Sequence, residues 1–208
     1  MDLYKALLIL GATGSGKTPF GVQLETQPLW GRKWHHFDFG EKLRKAAAGE
    51  ESKFLSAEEL SVIDNSLKTN SLLEDKDIPI AEKILRKFII DKNVDQVFDV
   101  VILNGLPRNI AQAEALEKII EIRTVLYFAA SPKTLLKRIK TNVGGDRTER
   151  TDDSLEEINK KLEIFNDQTK PLLDHYKKLD RTILEVEVDE DTIPLYVIQS
   201  LKSMKCTI

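Results

Sequence analysis

The residues best suited to chemistry lie near the amino terminus, in Gly11-Ala12-Thr13-Gly14-Ser15-Gly16-Lys17-Thr18. Their spacing is G-x-x-x-x-G-K-[ST], in which glycines let the backbone turn sharply and aim several N–H groups at phosphate oxygens. Lys17 is spaced to reach β- and γ-phosphates, and the Thr18 hydroxyl to ligate Mg²⁺. The preceding apolar run, Ala6 to Leu10, is too short for a buried helix and reads as a buried strand. A helix follows, with its positive dipole end on the same anion. Pro19 suits its first turn, where a missing N–H costs nothing. An accidental glycine-rich turn is the alternative, and the strand-loop-helix context argues for nucleotide binding instead.

A second set of residues is cationic. Phosphoryl transfer needs two substrates in line, Mg²⁺, and cations around the transferring group. Arg44, Arg108, Arg138, Arg147 and Arg150 fall near strand ends and loops. Arginine suits the task because its planar fork binds phosphate bidentately and keeps its charge. A single arginine is ordinarily a solvated surface residue. Arg108 differs because it follows a buried strand and a Gly105-Leu106-Pro107 turn, and Arg138, Arg147 and Arg150 flank Gly144-Gly145 as a closing lid requires. Other residues invite over-reading. His35 and His36 are neighbours on a strand and face opposite ways, which argues against a joint metal site. Asp152 and Asp153 begin a helix and orient lid arginines, Trp30 and Trp34 cover the core, and Leu155, Ile158, Leu162 and Phe165 form a core-facing stripe.

The elements that must position these groups alternate. Strands are expected at His35–Phe37, Val97–Leu103, Thr124–Ala129 and Thr182–Val188, the last at a sheet edge. Helices are expected at Glu41–Ala48, Ala57–Leu67, Ile78–Ile90, from Asn109 to about Glu121, from Ser131-Pro132, from Ser154 to about Lys178 with a bend or an interruption at Pro171, and from Asp191. This pattern implies an α/β fold with a five-stranded parallel sheet and helices on both faces, three layers in all, and ligands beyond the carboxyl ends of the strands. At 208 residues one domain with small insertions is expected. A net charge of −3 shows no basic footprint for nucleic acid or an anionic membrane surface. The single cysteine, Cys206, forms no intramolecular disulfide, and no segment is apolar for long enough to suggest a signal peptide or a membrane span. A cytoplasmic monomer is the default expectation.

Taken together, these stretches resemble the adenylate kinase (nucleoside monophosphate kinase) family over nearly the whole chain. Gly11–Lys17 is similar to its phosphate loop, and His36-Phe37-Asp38-Phe39-Gly40-Glu41-Lys42-Leu43-Arg44 to its H-x-S-T-G-D-x-L-R segment. Asn104-Gly105-Leu106-Pro107-Arg108 with Gln112 is similar to D-G-F-P-R-x-x-x-Q, and Arg150-Thr151-Asp152-Asp153 to R-x-D-D. Lys161, Thr169 and Pro171 fall where the family's long helix has R, T and P. The resemblance implies a P-loop NTPase fold spanning 1–208, with a helical monophosphate-binding insertion at 38–75 and a short, zinc-free lid at 140–150. It implies transfer of the γ-phosphoryl of ATP to a nucleoside monophosphate, AMP being favoured, with Mg²⁺. Arg44 and Arg108 would hold the acceptor phosphate beside Phe39 and Gly105, and Gln112 would contact the base. Arg138, Arg147, Arg150 and Lys161 would come onto the phosphates as the lid closes. A P-loop kinase for another small acceptor, or a nucleotide-binding homologue with lost catalysis, are the alternative readings.

Five departures from that pattern matter. Asn104 replaces the aspartate near Mg²⁺, which should weaken metal binding or slow turnover; restoring aspartate is expected to raise activity or lower the Mg²⁺ requirement. Phe39 replaces a threonine at the base of the acceptor site, either to stack on a base, to exclude one, or to serve the core. Lys161 is a point charge in place of a fork, Thr134 stands where a basic residue would cover adenine, and Leu72-Leu73-Glu74-Asp75 lacks a proline.

Overall fold

A computed structural model describes residues 3–27, 29–50, 52–146, 148 and 154–204. The strands are β1 (Tyr4–Gly11), β2 (Lys33–Asp38), β3 (Asp99–Asn104), β4 (Ile120–Ala129) and β5 (Thr182–Glu187). The helices are α1 (Lys17–Glu25), α2 (Phe39–Ala47), α3 (Ala57–Thr69), α4 (Ile78–Asp91), α5 (Ile110–Leu116), α6 (Pro132–Thr141), α7 (Leu155–Ile164), α8 (Leu172–Lys178) and α9 (Pro194–Lys202). Among the described residues the five strands form one parallel sheet in the order β2-β3-β1-β4-β5. β5 is at an edge, as expected.

The near-continuous apolar run of β1 is explained by its central place. Ala6, Leu8 and Leu10 pack into one buried cluster with Ile84, Leu85 and Phe88 of α4 and Leu172 of α8. Leu7 and Ile9 point the other way, against Phe20 and Leu24 of α1 and Val197, Ile198 and Leu201 of α9. Successive side chains of a strand face opposite sides, so a strand buried on both faces cannot alternate with polar residues. β1 lies where the strand order reverses, the place where parallel sheets open a crevice at their carboxyl ends. The chain enters that crevice at Gly11, Asp38, Asn104 and Ala129.

Several element boundaries differ from the sequence expectation, while the long helix is interrupted near Pro171, one of the two outcomes expected there. β3 starts at Asp99, because Asp95 Oδ1 accepts the N–H groups of Val97 and Phe98 in a turn that leaves both side chains exposed. The helix capped by Asn109 stops at Leu116, and Ile120 and Glu121 already pair with β1. The long helix expected from Ser154 breaks at a π-helical turn, Phe165–Thr169, followed by Pro171, which has no N–H to continue the ladder. The apolar stripe on α7 is also partial: Ile158 is buried, whereas Leu155 is 59% exposed.

Two interactions outside the cleft hold this framework. Phe20 seats α1 on the sheet, 1% exposed and edge-on to Phe128 with centroids 5.3 Å apart. Phe20→Ala is expected to lower unfolding stability by about 3–5 kcal/mol, measured by urea titration. At the opposite end of the sheet, buried Asp99 Oδ2 lies 2.7 Å from His35 Nε2 and accepts the Asp95 N–H at 3.1 Å. Burial pushes the Asp99 pKa up, but these hydrogen bonds and the charges of His35 and Lys33 hold it below the usual value. A folded-state pKa below the unfolded one contributes stability above the ordinary carboxylate range, and that contribution is lost as the pH falls through the folded value. Asp99→Asn should therefore destabilise at pH 7, with a penalty that shrinks below about pH 4; melting temperatures of both proteins across pH 3–7 check this.

Candidate active site

The phosphate loop leaves β1 at Gly11 and enters α1 at Lys17. Gly14 and Gly16 take φ of 83° and 94°, the left-handed region that side chains resist. Space is short as well, since a Cβ on Gly14 would meet Ile139 at 2.7 Å. Lys17 Nζ donates to the carbonyls of Gly11 and Ala12 at 2.7 and 2.9 Å, which stretches the side chain back along the loop. Ser15 Oγ is buried within the loop and has no hydrogen-bond partner among the described residues. A buried hydroxyl left unpaired is costly, so its position argues for a polar ligand at this loop.

The loop faces a cleft of about 830 Å³, large enough for two nucleotides' phosphates and the ligand bodies attached to them. Gly11 to Gly14, Gly16, Lys17 and Thr18 line one wall. Arg44 from α2 and Arg108 after β3 line the same cleft. A Cβ on Gly40 would lie 3.3 Å from Arg44 Nη1, and one on Gly105 would lie 3.6 Å from Arg108 Nη2 and 3.8 Å from the Gly40 nitrogen. The two guanidinium groups therefore sit over adjoining glycines. Arg108 is open to the cleft, yet lost solvation and the like charge of Arg44 push its pKa down, against the pull of Asp38. Two cations held together in this way form a receptor for an anion.

Arg108 is fixed from several sides. Its N–H donates to Gln112 Oε1 at 2.8 Å, its Nε to the Gly105 carbonyl at 3.0 Å, and its own carbonyl accepts from Thr169 Oγ1 at 2.9 Å. The Leu106–Pro107 peptide in this turn is cis. The π-helical turn thus has a purpose that the sequence did not announce: it brings Thr169 back onto the arginine loop. Gln112 corrects one expectation. It is 2% exposed and absent from the cleft wall, and its Oε1 accepts the Arg108 N–H. Phe39 corrects another, because it is 3% exposed and stacks on Phe37 at 6.0 Å within the core. Of the three readings open for Phe39, the core one holds: α2 begins at that residue and turns the ring inward.

Arg138 is 4% exposed and braces the loop. Its Nε donates to the Gly14 carbonyl at 3.1 Å, and Nη1 donates to the carbonyls of Asp189 and Thr192 at 2.8 and 2.9 Å. Burial lowers its pKa, opposed by Asp189, Asp146 and Asp191. Nη2 stays near Gly16, where a Cβ would come within 3.1 Å. Lys161, Val143, Gly144 and Asp146 complete the open end of the cleft. Arg147, Arg150 and residues 151–153, to which lid roles were assigned, lie outside the described residues.

At the floor of the cleft, three polar side chains meet. Thr18 Oγ1 donates to Asp38 Oδ2 at 2.6 Å, and Asn104 Nδ2 reaches the same Oδ2 at 2.8 Å and Thr18 Oγ1 at 3.1 Å. Asp38 is buried; desolvation raises its pKa, but the Thr18 hydroxyl, the Glu41 N–H, His36 and Arg44 together hold it below the usual value, so it is ionised at neutral pH. His36, against α1 and 3.5 Å from Asn104 Nδ2, is held below the usual histidine value by lost solvation despite three nearby acids. This geometry revises the expectation for position 104. An aspartate introduced there alone would press two carboxylates together where the amide now donates a hydrogen bond. Sequence reasoning missed Asp38, which it read only as part of the segment before Arg44. It also missed Ser66, Leu67, Asn70 and Ser71 of α3 and its carboxyl end, and Ile164 and Phe165, all of which line the cleft. No local signal marks these, because nothing in α3 or α7 differs from an ordinary amphipathic helix.

Comparison with known proteins agrees with this geometry. The chain is similar to an adenylate kinase of Treponema denticola, with 29% identity over 94% of this chain and 96% of the relative. It is similar to a uridylate kinase of Schizosaccharomyces pombe, with 28% identity over 92% and 94%. Among solved structures, an unliganded sugar kinase from Janibacter sp. HTCC2649 superposes with a TM-score of 0.52 at 13% identity, covering 95% of this chain and 91% of that one, a likeness of fold alone. Residues 9–181 match the family described as adenylate kinase. With a phosphate loop and a pair of arginines lining one cleft, and with that match over most of its length, the chain belongs to the adenylate kinase family of phosphotransferases.

Proposed function

We propose that the chain transfers the γ-phosphoryl group of ATP to AMP, giving two molecules of ADP, and that it uses Mg²⁺. The observation that carries this reading is that the Gly11–Thr18 loop and the Arg44–Arg108 pair line one cleft. The loop N–H groups and Lys17 bind the triphosphate tail. To do so, Lys17 exchanges its bonds to the Gly11 and Ala12 carbonyls for phosphate oxygens. Arg44 and Arg108 grip the phosphate of the acceptor and bring its oxygen into line with the γ-phosphorus. Arg138 and Lys161 add positive charge around the transferring group, where charge spreads over the equatorial oxygens. Residues 38–75 act as the acceptor lobe and 140–150 as the lid that excludes water.

The donor set suits a hard divalent cation. Thr18 and Asp38 offer oxygen, and Mg²⁺ sites in such enzymes need only one or two protein ligands beside the phosphates. Held there, Mg²⁺ would offset the negative charge of the phosphates. Protein assigned to the base is sparse: Gln112 and Phe39 face away, which leaves Ser66, Leu67, Asn70 and Ser71 to form the far end of the acceptor side.

Lys17→Ala or Arg108→Ala is expected to lower turnover by about 10³-fold or more, read in a coupled assay of ADP formation. Near-normal turnover of either variant would overturn its assigned role. A panel of AMP, GMP, CMP, UMP and deoxynucleoside monophosphates with Mg-ATP tests the acceptor. Fastest turnover with AMP supports the proposal, preference for UMP keeps the reaction and overturns the base, and ATP binding without turnover on any acceptor overturns the reaction.

A further inference from the structure

A phosphate loop whose last residue is threonine holds Mg²⁺ through that hydroxyl and through an acidic side chain at the end of a neighbouring strand. β3, the neighbour of β1 on the cleft side, ends in Asn104, which carries no charge. The nearest carboxylate is on the next strand. The register pairs Asp38 of β2 with Asn104 of β3, and paired residues of adjacent parallel strands project to the same side of the sheet. A negative charge can therefore move from one strand to the next and stay at the same end of the same cleft.

We propose that Asp38 supplies the carboxylate that faces the Mg²⁺ of the bound nucleotide, and that Asn104 orients it. The inference rests on the kinase reading above and assigns a residue that reading does not require. Three observations carry it. The first is that Asp38 Oδ2 contacts the Thr18 hydroxyl at 2.6 Å, the shortest side-chain approach to the metal-ligating end of the phosphate loop among the described residues. The second is a division of labour within the carboxylate. Oδ1 accepts the Glu41 N–H at 3.0 Å and caps α2, while Oδ2 receives only the Thr18 hydroxyl and the Asn104 amide. Helix capping needs one oxygen and is served equally by asparagine, so it does not explain a buried anion. The third is that this anion, 8% exposed, makes no direct ion pair with a lysine or arginine among the described residues, Arg44 and Arg108 acting on it only through longer-range charge. A buried charge is ordinarily paired with another charge or coordinates a metal. Asn104, 3% exposed, donates to Oδ2 at 2.8 Å and so fixes the carboxylate without competing for the cation. Positions 38 and 104 thus form an exchanged pair, acid and amide, across one register step.

The test uses Asp38→Asn, Asn104→Asp and the double exchange Asp38→Asn/Asn104→Asp in the full chain, with ATP present and no acceptor, so that turnover plays no part. Mn²⁺ replaces Mg²⁺ and its binding to the protein–ATP complex is followed by electron paramagnetic resonance. Asp38→Asn should weaken Mn²⁺ binding by about 10-fold or more. The same variant should bind ATP in EDTA at least as tightly as the parent, because an anion facing the phosphates has been removed; a merely structural loss would weaken both. Asn104→Asp alone should melt at a lower temperature in EDTA and regain stability with Mn²⁺ and ATP. The double exchange should recover most of the Mn²⁺ affinity that Asp38→Asn loses. An unchanged Mn²⁺ constant in Asp38→Asn, or a double exchange no tighter than Asp38→Asn, overturns the inference while leaving a parent that phosphorylates AMP intact as a kinase. Failure of the parent to bind ATP in either medium removes the kinase reading, and this one with it.

Discussion

The in-register parallel pairing of β2, β3 and β1 is the constraint on which the site depends. Ile9 and Asp38 are both register partners of Asn104, so three strands end at nearly one level. Each strand then releases a different tool at that level: a glycine loop after β1, a helix cap with a carboxylate after β2, and a rigid turn with an arginine after β3. A one-residue slip of β2 would turn Asp38 away from Thr18 and put Phe37 in its place. Such a slip is opposed by burial, because Phe37 is wholly inside the core between Phe39 and Phe88. Hydrophobic packing below the cleft thereby sets the polar geometry above it.

Three cations of the cleft are oriented by direct hydrogen bonds to backbone carbonyls. Lys17 bonds to the loop's own carbonyls, Arg138 to carbonyls of four separate residues, and Arg108 to Gly105. Carbonyls orient a cation without cancelling its charge, so the field in the cleft stays positive and suited to two polyanionic substrates. Asp38 is the exception, a buried acid at the end of the phosphate loop, and its place is intelligible as one side of a metal site. Acidic residues elsewhere on this chain, which bears a net charge of −3, do not alter that local sign.

The phosphate loop was fully legible in the residues because its chemistry is local. Glycines at fixed intervals, one lysine and one threonine are enough, and strand and helix follow from the flanking apolar pattern. The arginines were legible as candidates since Arg44 and Arg108 follow recognisable turns. Where letters misled, the cause was long-range. Phe39 and Gln112 sit beside site residues in sequence, yet burial and a backbone hydrogen bond draw both away from the cleft. Thr169 sits 61 positions from Arg108, so only the break in the helix after α7 joins them.

The amino-acid order by itself determined the class of ligand, the alternating layers and the strand ends at which ligands gather, because each depends on residues close together in the chain. The tertiary structure alone decided which polar groups meet there, above all that Asp38 and Asn104 stand side by side on Thr18. That meeting is set by strand register across 66 positions, and register is fixed by the packing of side chains remote from the site.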